Sequence, residues 1–289
     1  MMYKTIEVEA KDRVAIIYLN RPEKMNAWNR TMDREVSQAM RELDGDDEVR
    51  AIIVTGRGRA FCVGSDLSGG AEAFVEGEDK DPGQTGDVTF PSVMPWQLSK
   101  PVLAAINGHA IGVGITYAMS CDIRFVAEEA KIQFAFVRRG IIPELASHVT
   151  VARVVGMSKA ADLLLSGRMI TGREMAEMGL ASRALPAGEV LPYTVEYAKE
   201  FLLAAPVAVA ISKRLLWEGL TSSTFEMFRR EMPLFEWICR TPDAAEGVAS
   251  FLEKRPPEWR MKPSCDLPLL LKKEGKKDWK ELSIPLNRY

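Results

Sequence analysis

The sequence predicts an α/β core in its first half and a helical appendage in its second. Three observations carry this reading. Short apolar runs rich in β-branched residues recur from Val14 to Ala127, helical periodicity alternates with them, and from Glu144 onward the pattern is mainly helical. The chain has 289 residues, enough for one substantial domain with an extension.

Val14 to Leu19 reads as a strand closed by the turn signal Asn20-Arg21-Pro22. Thr31 to Leu43 places Met32, Val36, Met40 and Leu43 at helical spacing, and Asp44-Gly45-Asp46 ends the pattern. Ala51 to Thr55 is a buried strand that runs into Gly56-Arg57-Gly58-Arg59, which completes a strand, helix, strand unit. From Ser68 to Ser92 the chain turns acidic and glycine-rich without periodicity, the signature of a surface insertion. Val102 to Ile106 is the next buried strand, after which Gly112-Val113-Gly114 opens a helix through Met119. Ile123 to Ala127 and Ile132 to Phe136 are read as two further strands. Val190 to Leu203, Val207 to Leu220 and Asp243 to Lys254 are the clearest later helices, bounded by Ala205-Pro206 and Thr241-Pro242. The proline-bearing tail carries a lysine-rich stretch from Lys272 to Lys280 and reads as extended. The division expected is a core over 1–200, a helical region over 201–260 and an extended tail over 261–289.

A formal net charge of −2 argues against whole-surface attraction to nucleic acid or to anionic lipid. No apolar run approaches the ~20 residues needed to cross a bilayer. Cys62, Cys121, Cys239 and Cys265 are scattered without a CxxC pair, and the only histidines are His109 and His148, so neither a zinc site nor a disulfide framework is suggested. The start of the chain lacks a positive stretch followed by an apolar one. A cytoplasmic chain with reduced thiols is expected.

Two glycine loops carry the chemistry. The loop from Gly58 to Leu67 and the loop Gly112-Val113-Gly114 each follow a buried strand, and neither fits a dinucleotide fingerprint or a phosphate loop. Loops of this kind placed before helices expose backbone N–H groups where negative charge is stabilised. An enolate oxygen is such a charge.

With these loops in place, the sequence resembles the crotonase superfamily, the enoyl-CoA hydratase and isomerase group. The resemblance runs through Asn20-Arg21-Pro22, Asn26-Ala27, the stretch from Gly58 to Leu67, Lys100 to Gly108, Gly112-Val113-Gly114, Cys121 to Arg124, Gly140 to Pro143, Ser166-Gly167-Arg168 and Phe251 to Arg255. It implies a crotonase-like ββα spiral core with a C-terminal helical region used for trimerisation, assembled as a homotrimer or homohexamer. It also implies an acyl-CoA substrate whose thioester carbonyl lies between the backbone N–H groups of Ser65 and Val113, with coenzyme A as part of the substrate and no metal or redox cofactor. The places of the two glutamates of family hydratases are held here by Thr116 and Phe136, neither of which can act as a base. Glu144 stands where some family isomerases carry their single carboxylate. It is expected on the first turn of a helix after Pro143, with His148 on the same face.

The resemblance further assigns substrate contacts to the segment from Lys24 to Ala27, to Ala60 and Phe61, to Asp66 and Leu67 along the pantetheine path, and to the loop residues Gly64, Gly112 and Pro143. Lys254 is assigned to a phosphate of coenzyme A, near Phe251 and Trp259. His109 is expected to pack. Isomerisation of a 3-enoyl-CoA to a 2-enoyl-CoA is slightly favoured. The alternatives are a one-glutamate 2-enoyl-CoA hydratase, a CoA-thioester or C–C bond hydrolase, and a non-catalytic acyl-CoA or RNA-binding homologue. The last rests only on the lysine-rich tail, whose interspersed acids read more simply as a solvated segment.

Overall fold

The computed structural model describes residues 3–68 and 93–268. The acidic insertion and the lysine-rich tail of the sequence reading therefore fall almost wholly outside the described residues.

Two sheets organise the core. The larger has six strands in the order β1 (Ile6–Lys11), β2 (Val14–Leu19), β3 (Ala51–Gly56), β5 (Val102–Ile106), β7 (Ile123–Ala127) and β10 (Arg183–Leu185). The smaller has four, β4 (Ala60–Cys62), β6 (His109–Ile111), β8 (Lys131–Gln133) and β9 (Met169–Thr171). Each pass of the chain gives one strand to the large sheet and the next to the small one: β3 then β4, β5 then β6, β7 then β8. Helix α2 (Val113–Met119) follows β6, and α3 (Ser147–Val155) and α4 (Met157–Ser166) follow β8. This is the two-strands-then-helix spiral that the resemblance implies.

The strand, helix, strand unit forms as read. Helix α1 (Arg30–Gly45) is capped by Asn29, whose side chain accepts from Met32 N, and it buries Met32, Val36, Met40 and Leu43. β2 and β3 then pair in parallel from Val14 with Ala51 to Leu19 with Gly56. All six residues of β3 and all five of β5 are buried, which is why both read as continuous apolar runs rather than alternating ones. β1 escaped the sequence reading because its alternation Ile-Glu-Val-Glu belongs to a half-exposed edge strand. It joins β2 through Asp12-Arg13, both at positive φ as a two-residue hairpin turn requires.

Several expectations need correction. The strand expected over Ile132 to Phe136 stops at Gln133: Phe134 and Phe136 turn into the core, and a 3-10 turn begins at Val137. The helix expected over Val190 to Leu203 is α6 (Ala187–Ala198) followed by a 3-10 turn. α5 (Gly172–Met178) follows β9, and the helices α7 (Pro206–Gly219) and α9 (Pro242–Glu253) match their sequence reading within a residue or two. α8 (Thr224–Ile238) went unread because Pro233 lies inside it, although Ser223 and Glu226 form a capping box at its start.

The short α10 (Pro263–Asp266) returns to the core, where the Ser264 hydroxyl donates to Asp47 at 2.6 Å. α7 is clamped to the core by a buried cation. Lys213 Nζ lies 2.8 Å from Asp122 and donates to the carbonyls of Pro95 and Lys100 at 2.7 Å each, while Trp217 Nε1 donates to the other Asp122 oxygen. Lys213→Met leaves those carbonyls and a half-paired carboxylate in the interior, and is expected to cost about 3–5 kcal/mol of stability in denaturant titration.

Candidate active site

The two glycine loops of the sequence meet in the structure. After β4, Gly64 adopts φ +105 and Ser65 forms a parallel bridge with Trp28: Trp28 N donates to Gly64 O and Asp66 N to Trp28 O, each at 2.8 Å. In this pattern the Ser65 N–H faces away from Trp28, and no backbone acceptor among the described residues takes it. Ser65 is exposed. The donor is thus set by a strand-like bridge and not by a helix start, as the sequence reading had it. The second loop does behave as expected. Val113 is the first residue of α2, so its N–H has no intrahelical acceptor.

Contact between the loops dictates their glycines. A Cβ on Gly112, which has φ +55, would stand 3.6 Å from Gly64 Cα. One on Gly114 would lie 2.2 Å from Cys62 O, so the first turn of α2 closes on the end of β4 only with glycine there.

The segment before α1 braces the first loop. Arg21 pairs with Asp66 at 2.8 Å and donates to Ala27 O at 2.6 Å, while the buried Asn26 side chain donates to Arg57 O and Ala60 O. Hydrogen bonds from Arg21 and Ser68 hold the Asp66 carboxyl down to about 2. Asp66, assigned by resemblance to the substrate path, therefore has its carboxylate engaged by Arg21. Ala60 and Phe61 lie in β4 and are wholly buried, so the structure does not bring them to a surface where a ligand could meet them. Ala27 is buried, Lys24 is exposed at the end of a 3-10 turn, and Leu67 is 45% exposed. Lys254 is exposed at φ +54, where it caps α9.

Glu144 reaches α2 from the segment that precedes α3. It follows the buried Pro143 and precedes Leu145 and Ala146, two consecutive non-glycine residues at φ +53 and +55. Left-handed conformations in such residues cost roughly 1–2 kcal/mol each, and strain of this kind gathers where function fixes the backbone. The reversal ends in α3, which begins only at Ser147. Glu144 is therefore not on a helical first turn, and the expected shared face with His148 does not form; His148 is exposed on α3. His109 packs at the sheet, its Nδ1 accepting from Lys131 N.

The turn carries the Glu144 carboxylate to Thr116. The fully buried Thr116 hydroxyl donates to Glu144 Oε1 at 2.7 Å. Burial pushes the carboxyl up to about 7, with the Thr116 hydrogen bond opposing. From the sequence, Thr116 is visible only as the residue that stands where family hydratases carry a glutamate. Nothing in local spacing relates two residues 28 positions apart. Phe136, at the other glutamate place, is buried in the core.

The raised value fixes two pH dependences. As a base Glu144 must be ionised, so kcat/KM is expected to fall on the acid side of about pH 7. For stability the sign reverses. Between its ordinary value of 4.5 and about 7 the folded chain holds a proton that the unfolded chain has lost, so stability falls as pH rises through that window. Glu144→Gln is accordingly expected to be the more stable protein at alkaline pH, by on the order of 3 kcal/mol, with the difference vanishing as the pH falls to 4.5 in thermal melts.

The four cysteines are free thiols, and among the described residues no group of three or more His, Cys, Asp or Glu is placed to hold a metal ion. No helix among them is long and apolar enough to cross a membrane.

A family model described as enoyl-CoA hydratase/isomerase matches residues 9–262. The chain is similar to a probable enoyl-CoA hydratase of Mycobacterium bovis, 34% identical over 269 residues that span 90% of this chain and 99% of the relative. It is similar also to a crotonyl-CoA hydratase of Syntrophomonas wolfei, 32% identical over 260 residues, covering 88% and 97% of the two chains. Among solved structures it resembles a probable enoyl-CoA hydratase/isomerase from Mycobacterium abscessus, with a TM-score of 0.82 and 37% identity over 89% of this chain and 99% of that one.

Proposed function

This chain belongs to the enoyl-CoA hydratase/isomerase family, and from that premise we propose that it moves the double bond of a 3-enoyl-CoA to give the 2-enoyl-CoA. The carrying observation is the Glu144 carboxylate at α2, with Phe136 and Thr116 at the other two acid places. Glu144 is half-buried and raised toward neutrality, and among the described residues its side chain accepts a hydrogen bond from Thr116. Hydration requires one group to orient water and another to deliver a proton, whereas a 1,3-proton shift requires one base that takes a proton and returns it.

In this reading the thioester oxygen accepts from Ser65 N–H and Val113 N–H. Glu144 removes a proton from the α carbon, the C–H electron pair enters a dienolate whose oxygen charge the two donors stabilise, and the carboxylic acid returns the proton to the γ carbon. The bond between carbons 2 and 3 becomes double as that between 3 and 4 becomes single. No metal or redox cofactor takes part. The other substrate contacts are Lys24, Ala27, Gly64, Leu67, Gly112 and Pro143, with Lys254 toward a phosphate.

A one-glutamate hydratase is the second reading, favoured by the names of the relatives. Product analysis separates the two. The isomerase reading expects 2-hexenoyl-CoA from 3-hexenoyl-CoA with little hydration of crotonyl-CoA; fast formation of 3-hydroxybutyryl-CoA from crotonyl-CoA without isomerisation overturns it.

The proposed setting is cytoplasmic, as a homotrimer or homohexamer. Supporting the assembly, Phe225, Phe235, Phe251 and Leu252 are each more than 60% exposed on α8 and α9, an apolar surface of the kind that marks protein interfaces. Sedimentation velocity is expected to give three or six times the 32.2 kDa chain mass, and a monomer would refute it.

A further inference from the structure

We propose that Thr116 is a positioning residue that ties the protonation of Glu144 to the strength of the oxyanion hole through the Gly112–Val113 peptide. The inference rests on Glu144 being the base, and it arises from the three acceptors around one hydroxyl. Thr116 Oγ1 lies 2.7 Å from Glu144 Oε1, 3.3 Å from Val113 O and 3.4 Å from Gly112 O. A threonine hydroxyl has one proton to give, so these acceptors compete for it.

While Glu144 is a carboxylate, the short charge-assisted bond wins. It holds Oε1 and leaves Oε2 to meet the substrate proton. When the proton arrives on Oε2, Oε1 becomes the oxygen of a neutral acid and a far weaker acceptor. The hydroxyl then shares its proton with the two carbonyls one turn back on α2, a contact common for threonine in helices. Gly112 C=O and Val113 N–H are opposite ends of one peptide group. A donor placed on the carbonyl polarises that group and makes its N–H a better donor, because hydrogen bonds in a chain strengthen one another in a low-dielectric interior. The Val113 N–H thereby strengthens as Glu144 takes the proton, which is when the enolate oxygen acquires its charge. No proton leaves Thr116 in this scheme; only the direction of its hydrogen bond changes.

The elements packed on α2 add few competing groups. On β4 the Cys62 thiol is pushed up to about 12 by burial and stays neutral. On β6 His109 is lowered by burial and by Lys131 and Arg59, and α3 presents His148 and Arg153. These are unchanged by substitution at Thr116, so a comparison among Thr116 variants cancels them.

The test reads the hole directly, by difference infrared spectroscopy of hexanoyl-CoA labelled at the thioester carbonyl and bound to the full chain. Wild type, Thr116→Ser and Thr116→Val are compared well below and well above the Glu144 titration. In wild type and in Thr116→Ser the carbonyl band is expected at lower frequency in acid than in base, and Thr116→Val is expected to lose that difference. If Thr116→Val does not fold, Thr116→Cys, with a weak S–H donor, must show a smaller difference than wild type. Equal differences in all variants, or none in wild type, overturn the proposal. On turnover Thr116→Val is expected to lose about ten-fold or more in kcat with KM little changed, and its acid limb moves to higher pH because the hydrogen bond that opposes burial is gone. A saturated ester does not react, so this result stands apart from the identity of the base. Retention of isomerase activity by Glu144→Gln would instead fail the base assignment itself.

Discussion

Glu144→Gln is expected to lower kcat for 3-hexenoyl-CoA by about 10²–10⁴-fold, the range that a positioned general base supplies. Glutamine keeps the shape of the side chain and still presents an oxygen to the Thr116 hydroxyl, so the backbone turn at Leu145 and Ala146 is expected to persist. What is lost is the group proposed to hold a proton at the reacting carbon. Binding of saturated acyl-CoA, measured by calorimetry, is expected to change little, because the proposed mode holds the thioester oxygen at the loops and not at Glu144. A variant that turns over within ten-fold of wild type would mean that another group moves the proton.

The second large effect is expected at a residue whose side chain does nothing in the reaction. Val113→Pro removes a backbone N–H and nothing else that α2 needs, since proline is accepted at the first helical position, where the N–H has no intrahelical partner. The preceding Gly112, at φ +55 and ψ −126, lies outside the helical region that proline disfavours in the residue before it and has no Cβ to meet the ring. Loss of one oxyanion donor is expected to cost about 3–4 kcal/mol, seen as a 10²–10³-fold fall in kcat. Val113→Ala keeps the N–H and is expected to stay near wild type. The pair separates the backbone donor from the valine side chain.

The sequence showed most clearly what depends on local periodicity and on glycine. β2, α1, β3, β5, α2 and β7 emerged close to their observed bounds because their residues are buried on one stripe or on both faces. The three-residue strands β4, β6, β9 and β10 are too short to set a period, and each exists because a neighbour supplies its ladder. Within the site, the loop positions of Ser65 and Val113 and the candidacy of Glu144 came from ordered motifs. The Thr116 contact, the Arg21–Asp66 brace and the strained turn after Glu144 are long-range or conformational features that no local spacing encodes. The helical assignment of Glu144 failed for a related reason. Pro-Glu reads as a helix start, but the chain first spends two residues in the left-handed region to bring the carboxylate against α2.

Conversion of 3-hexenoyl-CoA in deuterium oxide, followed by proton NMR at carbons 2 and 4, tests the central claim of one carboxylate and one oxyanion hole. The account predicts 2-hexenoyl-CoA from the wild-type chain, with less than one deuterium gained at carbon 4 per turnover because Glu144 returns part of the proton it took, and no comparable conversion by Glu144→Gln. Full deuteration at carbon 4 in every turnover, or undiminished conversion by the variant, would contradict it.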